Sequence, residues 1–239
     1  MPEDRTPPLE ARVDPRATAL VIVDMQNDFI LPSGVHVAFA KQPHQIDSGE
    51  VRSGDQLTPG FARMPSVINA NQELIACARK VGVPVVWVRI ENTRETQARF
   101  WASEGLFTCM VGTPGAEFVE GLAPEPNDTV IVKTRHSAFF GTNLDGILRI
   151  MSVQGVVVTG VGTPGCVEAT VRDAMMRDYW VVIASDACGS GDLENHEAAL
   201  VRMNRLFGMV ATNREIIGAW EASVERSTPV ARTPAAVAG

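Results

Sequence analysis

Short, unbroken apolar runs recur along the chain, and stretches with helical spacing stand between most of them. ALVIVDM (19–25), VPVVWVRI (83–90), TVIVKT (129–134), GVVVTG (155–160) and WVVIASDA (180–187) each read as a buried strand. A strand covered on both faces is apolar at successive positions rather than alternate ones. Residues 208–212 add a short sixth strand. Residues 65–80 carry Val67, Ile68, Leu74, Ile75 and Ala78 at helical spacing, and Gly82 ends that helix. Further helices are predicted over 142–151, with Thr142 or Asn143 as cap, over 164–178, and over 193–206, with a last one ending near Glu221.

Apolar strands alternating with amphipathic helices predict βαβ units, hence an α/β fold with a mostly parallel six-stranded sheet covered on both faces. In such sheets ligands bind beyond the carboxyl ends of the strands. Two stretches lack periodicity. Residues 26–60 form a long Pro/Gly/Ser/His/Asp-rich loop, of the kind that is more often functional than idle. Residues 91–126 are mixed, with an aromatic patch at Phe100 and Trp101. The reading divides the chain into an N-terminal arm (1–17), extended and suited to packing on a neighbouring subunit, one domain (18–222), and a disordered tail (223–239).

Composition narrows the class. A chain of 239 residues, 45% hydrophobic, is long enough for one sizeable core. A net charge of -7 without a basic patch argues against nucleic acid and acidic membrane surfaces as partners. No apolar run approaches a membrane span, and the N-terminus has no apolar signal region. The cysteines Cys77, Cys109, Cys166 and Cys188 show no close ligand spacing, which fits reduced thiols in a cytoplasm.

Three reactive side chains fall at the same sheet edge. Asp24 follows the first strand, Lys133 ends the third, and Cys166 follows the fourth through a short turn. Each alone has a plain reading: a turn residue, a solvated lysine, a small core residue. Together they suggest thiol chemistry. The thiolate is the reactive form, and a helix N-terminus or a nearby ammonium stabilises it. Thr163 is placed as N-cap with Pro164 at the first helical position, which puts Cys166 in the first turn. Asp24 is then a general base and acid, and N–H groups of Gly162 and Cys166 could hold an oxyanion. Phe29, Phe139 and Phe140 are candidate pocket walls, with ordinary core packing as the alternative. Arg89, Glu91 and Asn92 follow the second strand as candidates for a polar substrate end, although a surface salt bridge explains Arg89 and Glu91 more simply. His136 and Thr163 are further candidate substrate contacts, and Trp101 and Arg135 weaker ones.

The remaining cysteines read as structural. Among the histidines His36, His44, His136 and His196 no HxH, HxxxH or DxH pattern occurs; His44 with Asp47 is a weak pairing, and His196 is expected on a helix surface. No metal and no cofactor are expected, and no nucleotide-binding glycine motif is present.

ALVIVDMQNDF, VIVKTRHSAFFGTNLDGILR and VVVTGVGTPGCVEATVRDA resemble the three signature segments of the isochorismatase-like cysteine hydrolases. The likeness spans about 18–220 and carries an Asp-Lys-Cys set in order. It implies Cys166 as nucleophile, Asp24 as general acid/base, Lys133 as electrostatic partner and a cis peptide at Val161–Gly162. It also implies a three-layer α/β/α sandwich, Rossmann-like, in a homodimer or homotetramer. The missing Asp/His set sets the chain apart from nicotinamidase-like members. TPGC in place of the more frequent TNxC, and the long 26–60 loop, are departures from the common pattern. What the resemblance implies is an amidohydrolase acting on a small linear ureide or carbamoyl compound. The alternatives are isochorismatase-type vinyl ether cleavage and a non-catalytic oligomeric binding protein.

Overall fold

The computed structural model describes residues 6–35 and 58–227. His36, His44, Asp47, most of the 26–60 loop and the end of the tail lie outside the described residues. Six strands form one sheet: β1 (Thr18–Val23), β2 (Val85–Ile90), β3 (Thr129–Lys133), β4 (Gly155–Val161), β5 (Trp180–Gly189) and β6 (Met209–Ala211). Every pairing is parallel, in the order β3-β2-β1-β4-β5-β6. The helices are α1 (Leu9–Arg12), α2 (Asn27–Ile30), α3 (Pro59–Ala62), α4 (Met64–Val81), α5 (Arg99–Ser103), α6 (Leu144–Ile150), α7 (Glu168–Met175), α8 (Leu193–Leu206) and α9 (Asn213–Ser227).

All six residues of β1 are buried. Leu20 and Ile22 face a core shared with Leu74, Trp87, Ile216 and Trp220, whereas Ala19, Val21 and Val23 face a second core with Leu144, Leu148, Val171 and Met203. The continuous apolar runs therefore have the expected cause: helices cover both faces, giving three layers. Gly82, at φ 79, ends α4 in the left-handed conformation that glycine adopts freely.

Two expectations at the termini change. Residues 9–12 form a helical turn, and Leu9 and Val13 join the core of the same chain instead of an extended arm. α9 runs to Ser227, past the expected end near Glu221, with Ala219, Trp220 and Ser223 still buried. Among the described residues no helix is long and apolar enough to cross a membrane.

The strand order places the site. The chain winds outward from β1 to β3, then returns to lay β4 on the other side of β1. The carboxyl ends of β1 and β4 thus flank the reversal, the crevice where open α/β sheets take their ligands.

Candidate active site

Asp24 is the first residue beyond β1. Its N–H bonds the Val88 carbonyl at 2.9 Å, and its φ of 53 lies in the left-handed region, which aspartate tolerates better than most residues. Its side chain is fully buried. Lys133, the last residue of β3, reaches past β2 to set Nζ 2.7 Å from Asp24 Oδ2. Nζ also donates to the Arg135 carbonyl at 2.9 Å. Neither side chain of this ion pair is exposed.

β4 delivers the third group. At Gly160 (φ 112) an added Cβ would collide with the Val23 backbone, so only glycine lets β4 run this close to β1. The Val161–Gly162 peptide is cis. Thr163–Val167 then form a wide π turn ahead of α7, a local form enriched at functional positions. Cys166 lies in this turn, two residues before the α-helix proper, not in the helix's first turn as expected. Thr163 makes no capping bond. Its hydroxyl pairs with His196 Nδ1 at 2.8 Å, and His196 is 4% exposed, not on a helix surface. Thr170 Oγ1 donates to the Cys166 carbonyl at 2.7 Å and accepts from Ala138 N–H at 3.0 Å, which ties the turn to the loop after β3. From that loop His136 brings Nδ1 to 3.3 Å from Cys166 Sγ.

Burial dominates the electrostatics. It raises the Asp24 pKa, against the pull of Lys133. Burial opposes the charge on Lys133, but Asp24 and Cys166 together outweigh it and hold the ammonium protonated. Burial and the Asp24 charge together raise the Cys166 thiol, and Lys133 only partly offsets them. The expected thiolate, poised by a helix end and an ammonium, is therefore not the resting state. The proton stays on sulfur until something takes it. Burial and Lys133 lower the His136 pKa, so its imidazole is neutral at neutral pH.

A cavity of about 60 Å³ opens over Cys166. That is several times the roughly 10–15 Å³ one water needs on the same measure. Phe29, Asn92, His136, Trp101 and Arg135 line it. Gln97, Leu106 and Thr108 also line it and come from the aperiodic 91–126 segment, where no pattern marked them. Asn92 Oδ1 and Gln97 Oε1 are buried acceptors without a hydrogen-bond partner among the described residues. The only hint in the sequence is that this segment follows β2 at the same sheet edge.

Other candidates stand elsewhere. Arg89 pairs with Glu91 at 2.9 Å, donates to the Ala116 carbonyl and lies over the Phe118 ring, so the salt-bridge reading holds. Phe139 is core, stacked on Tyr179 at 6.0 Å. Phe140 is 65% exposed. Neither phenylalanine, nor Arg89, Glu91 or Thr163, lines the cavity. Gly162 accepts from the N–H groups of Gly165 (2.9 Å) and Val167 (3.3 Å) and so braces the turn. Cys77, Cys109 and Cys188 are buried and free, and Cys188 is pushed up to about 12 by burial. Among the described residues no three His, Cys, Asp or Glu side chains gather where they could hold a metal.

A parallel α/β sheet with a buried Asp–Lys pair beside a cysteine at its switch point now has a family context. Residues 18–215 match the isochorismatase domain model, and the chain belongs to that family. It is 29% identical to the ureidoacrylate amidohydrolase RutB of Caulobacter vibrioides, over 86% of this chain and 92% of that one. It is 35% identical to a probable inactive nicotinamidase of Arabidopsis thaliana, over 80% of this chain and 90% of that one. Among solved structures it resembles N-carbamoylsarcosine amidase from Thermoplasma acidophilum (TM-score 0.63, 26% identity, 82% of this chain and 96% of that one). A cysteine hydrolase from Pseudomonas syringae pv. phaseolicola is similar too (TM-score 0.74, 25% identity, 92% of this chain and 99% of that one).

Proposed function

We propose that the protein is a cysteine-dependent amidohydrolase that releases ammonia from a small linear ureide or carbamoyl compound. The observation that carries the reading is the buried Asp24–Lys133 pair beside Cys166 at the floor of a small cavity. The unpartnered oxygens of Asn92 and Gln97 suit the N–H donors of an amide or ureide. The names of two relatives point the same way.

In this reading Asp24 takes the thiol proton as Cys166 Sγ attacks the terminal carbonyl. A base of raised pKa suits that task. Lys133 offsets the negative charge shared by sulfur and carboxylate. The N–H groups of Gly162 and Cys166 hold the oxyanion. Asp24 then protonates the departing nitrogen, ammonia leaves and a thioester remains on Cys166. Water hydrolyses it, and no step needs a cofactor. The proposal extends to a cytoplasmic homodimer or homotetramer, and the free thiols fit a reducing compartment.

The test is ammonia release from biuret, triuret, ureidoacrylate, N-carbamoylsarcosine, maleamate and nicotinamide, with Cys166→Ala and Asp24→Asn alongside. One substrate should give ammonia, Cys166→Ala should give none, and Asp24→Asn should fall by about 10²–10⁴-fold. Near-normal turnover in either variant sinks the mechanism. The likeness to a relative named inactive favours a binding protein as the second reading. In that case no substrate releases ammonia, yet one of the panel binds by calorimetry.

A further inference from the structure

The turn that carries Cys166 has few side chains to hold it. Between Val161 and Cys166 stand Gly162, Thr163, Pro164 and Gly165. The glycines have no side chain, Pro164 is exposed, and the space where a Gly162 Cβ would stand is open to 4 Å. Thr163 is the one residue of these whose side chain is buried, at 0% exposure. The bonds from Gly165 and Val167 N–H to the Gly162 carbonyl fix the shape of the turn, but they travel with it. Two side-chain ties reach outside. After Cys166, Thr170 links the turn to the loop that follows β3. Before Cys166, the Thr163 hydroxyl meets His196 Nδ1 at 2.8 Å.

His196 is aimed by a well-anchored helix. Asp192 caps α8 by accepting from Asn195 N–H at 3.0 Å, and the buried residues of α8 are His196, Ala199 and Met203, one helix face. A buried imidazole nitrogen is costly unless it is paired, and Thr163 supplies the partner. Burial and Arg63 keep the ring neutral, and Glu197 opposes them. Neither Thr163 nor His196 lines the cavity over Cys166.

We propose that Thr163 and His196 are a positioning pair, through which α8 holds the turn so that the N–H groups of Gly162 and Cys166 meet the oxyanion. Thr163 directly follows the first of these donors and precedes the second by three residues. Without the tie Gly162 drifts, whereas Cys166 keeps its own anchor through Thr170 and the thiol stays beside Asp24. The inference rests on the oxyanion assignment in the amidohydrolase reading, not on which amide is cleaved.

Two reagents separate the thiol from the donors. Iodoacetamide alkylates sulfur by displacing iodide, and no carbonyl oxygen gains charge. p-Nitrophenyl acetate acylates sulfur through a tetrahedral oxyanion that expels p-nitrophenolate. Both adducts are timed by intact-protein mass, with Cys166→Ala as the blank. Thr163→Val removes the hydroxyl. It should slow acylation by about 10–10²-fold and alkylation by less than about threefold. His196→Phe should do the same, and the double variant should be no slower than the slower single one, because both remove one contact. Thr163→Ser keeps the hydroxyl and should return acylation to within about threefold of wild type. If Thr163→Val does not fold, His196→Asn, which keeps a polar atom near the Nδ1 position, takes the place of the serine variant against His196→Phe. With an amide that the wild type cleaves, kcat should fall and KM stay nearly unchanged. Acylation at the wild-type rate in both single variants overturns the proposal. So does an equal loss of acylation and alkylation, which marks a general disturbance of the site, and so do losses that multiply in the double variant. A wild-type Cys166 that is alkylated but never acylated overturns it too, since there are then no donors to position. A substrate panel without ammonia, beside the expected split between the two reagents, instead sinks the amide reading and leaves the pair its role.

Discussion

Two carboxylates on this chain meet cations in opposite surroundings. Asp24 holds Lys133 with both side chains wholly buried, and its Oδ1 has no aligned partner. Glu168, at the start of α7, is gripped by Arg172 and Arg202, whose side chains are 40% and 44% exposed. Both Glu168 oxygens are satisfied: Oε1 accepts from Arg172 and Arg202, and Oε2 from Arg202. Burial raises both carboxylates, but at Glu168 the two guanidinium groups outweigh it and lower the pKa, whereas at Asp24 burial wins. The difference separates a fully satisfied carboxylate from one left short of partners. A saturated carboxylate whose cationic partners reach water is held ionised. A dry, half-satisfied one retains an affinity for protons that chemistry can use.

The comparison can be broken most forcefully at Lys133. Lys133→Met leaves Asp24 buried opposite a thioether, and urea denaturation should show a loss of about 3–5 kcal/mol. Adding Asp24→Leu should recover most of it, since a buried pair exchanged whole for apolar groups is often neutral. If Lys133→Met alone unfolds no earlier than wild type, the pair is not as dry as its burial implies. Glu168→Gln should cost less than Lys133→Met, about 1 kcal/mol, because both arginines stay part-exposed and can turn to water. A larger loss there would erase the contrast.

A subtler readout is the pH dependence of stability. The folded Asp24 pKa lies above its unfolded value, so this group's contribution is fully present below the unfolded pKa and is lost as pH rises through the folded one. Glu168 has the opposite sign: its contribution is present above its unfolded pKa and lost as pH falls through the lowered folded value. Denaturation midpoints across the acid range should therefore shift in opposite directions, with Glu168→Gln flattening the acid loss and Asp24→Asn steepening it. Parallel shifts would mean that both carboxylates are governed by the same term.

Much of this arrangement was legible from residue order alone. Doubly buried strands announce themselves as unbroken apolar runs, so the sheet and the strand-end positions of Asp24 and Lys133 could be read directly. α8 coincides with its predicted span of 193–206. Contacts between distant segments were not legible. Pro164 after a threonine reads as a capped helix start, but Thr163 spends its hydroxyl on His196, 33 residues away. Helical periodicity also cannot announce a π turn, so Cys166 was placed too far into the helix. Gln97 and Thr108 sit in a segment whose form is dictated by long-range bonds, such as Asn92 N–H to the Cys109 carbonyl and Asn92 Nδ2–H to the Thr108 carbonyl. His136 was flagged for the ligand, but its closeness to sulfur depends on the fold bringing together residues 30 apart.

β3 is the outermost strand on its side of the sheet, with Val130 and Val132 partly exposed, and outer strands are the first to fray. Yet its last residue is bonded to Asp24 at the carboxyl end of β1, 109 positions earlier and two strands inward. Lys133 thus acts as a latch between the rim of the sheet and its middle. Each time the rim lifts, the ammonium withdraws from the carboxylate and leaves it bare behind the sulfur. The exchange rate of the β3 amides with solvent deuterium is therefore a clock for how often this buried pair comes apart.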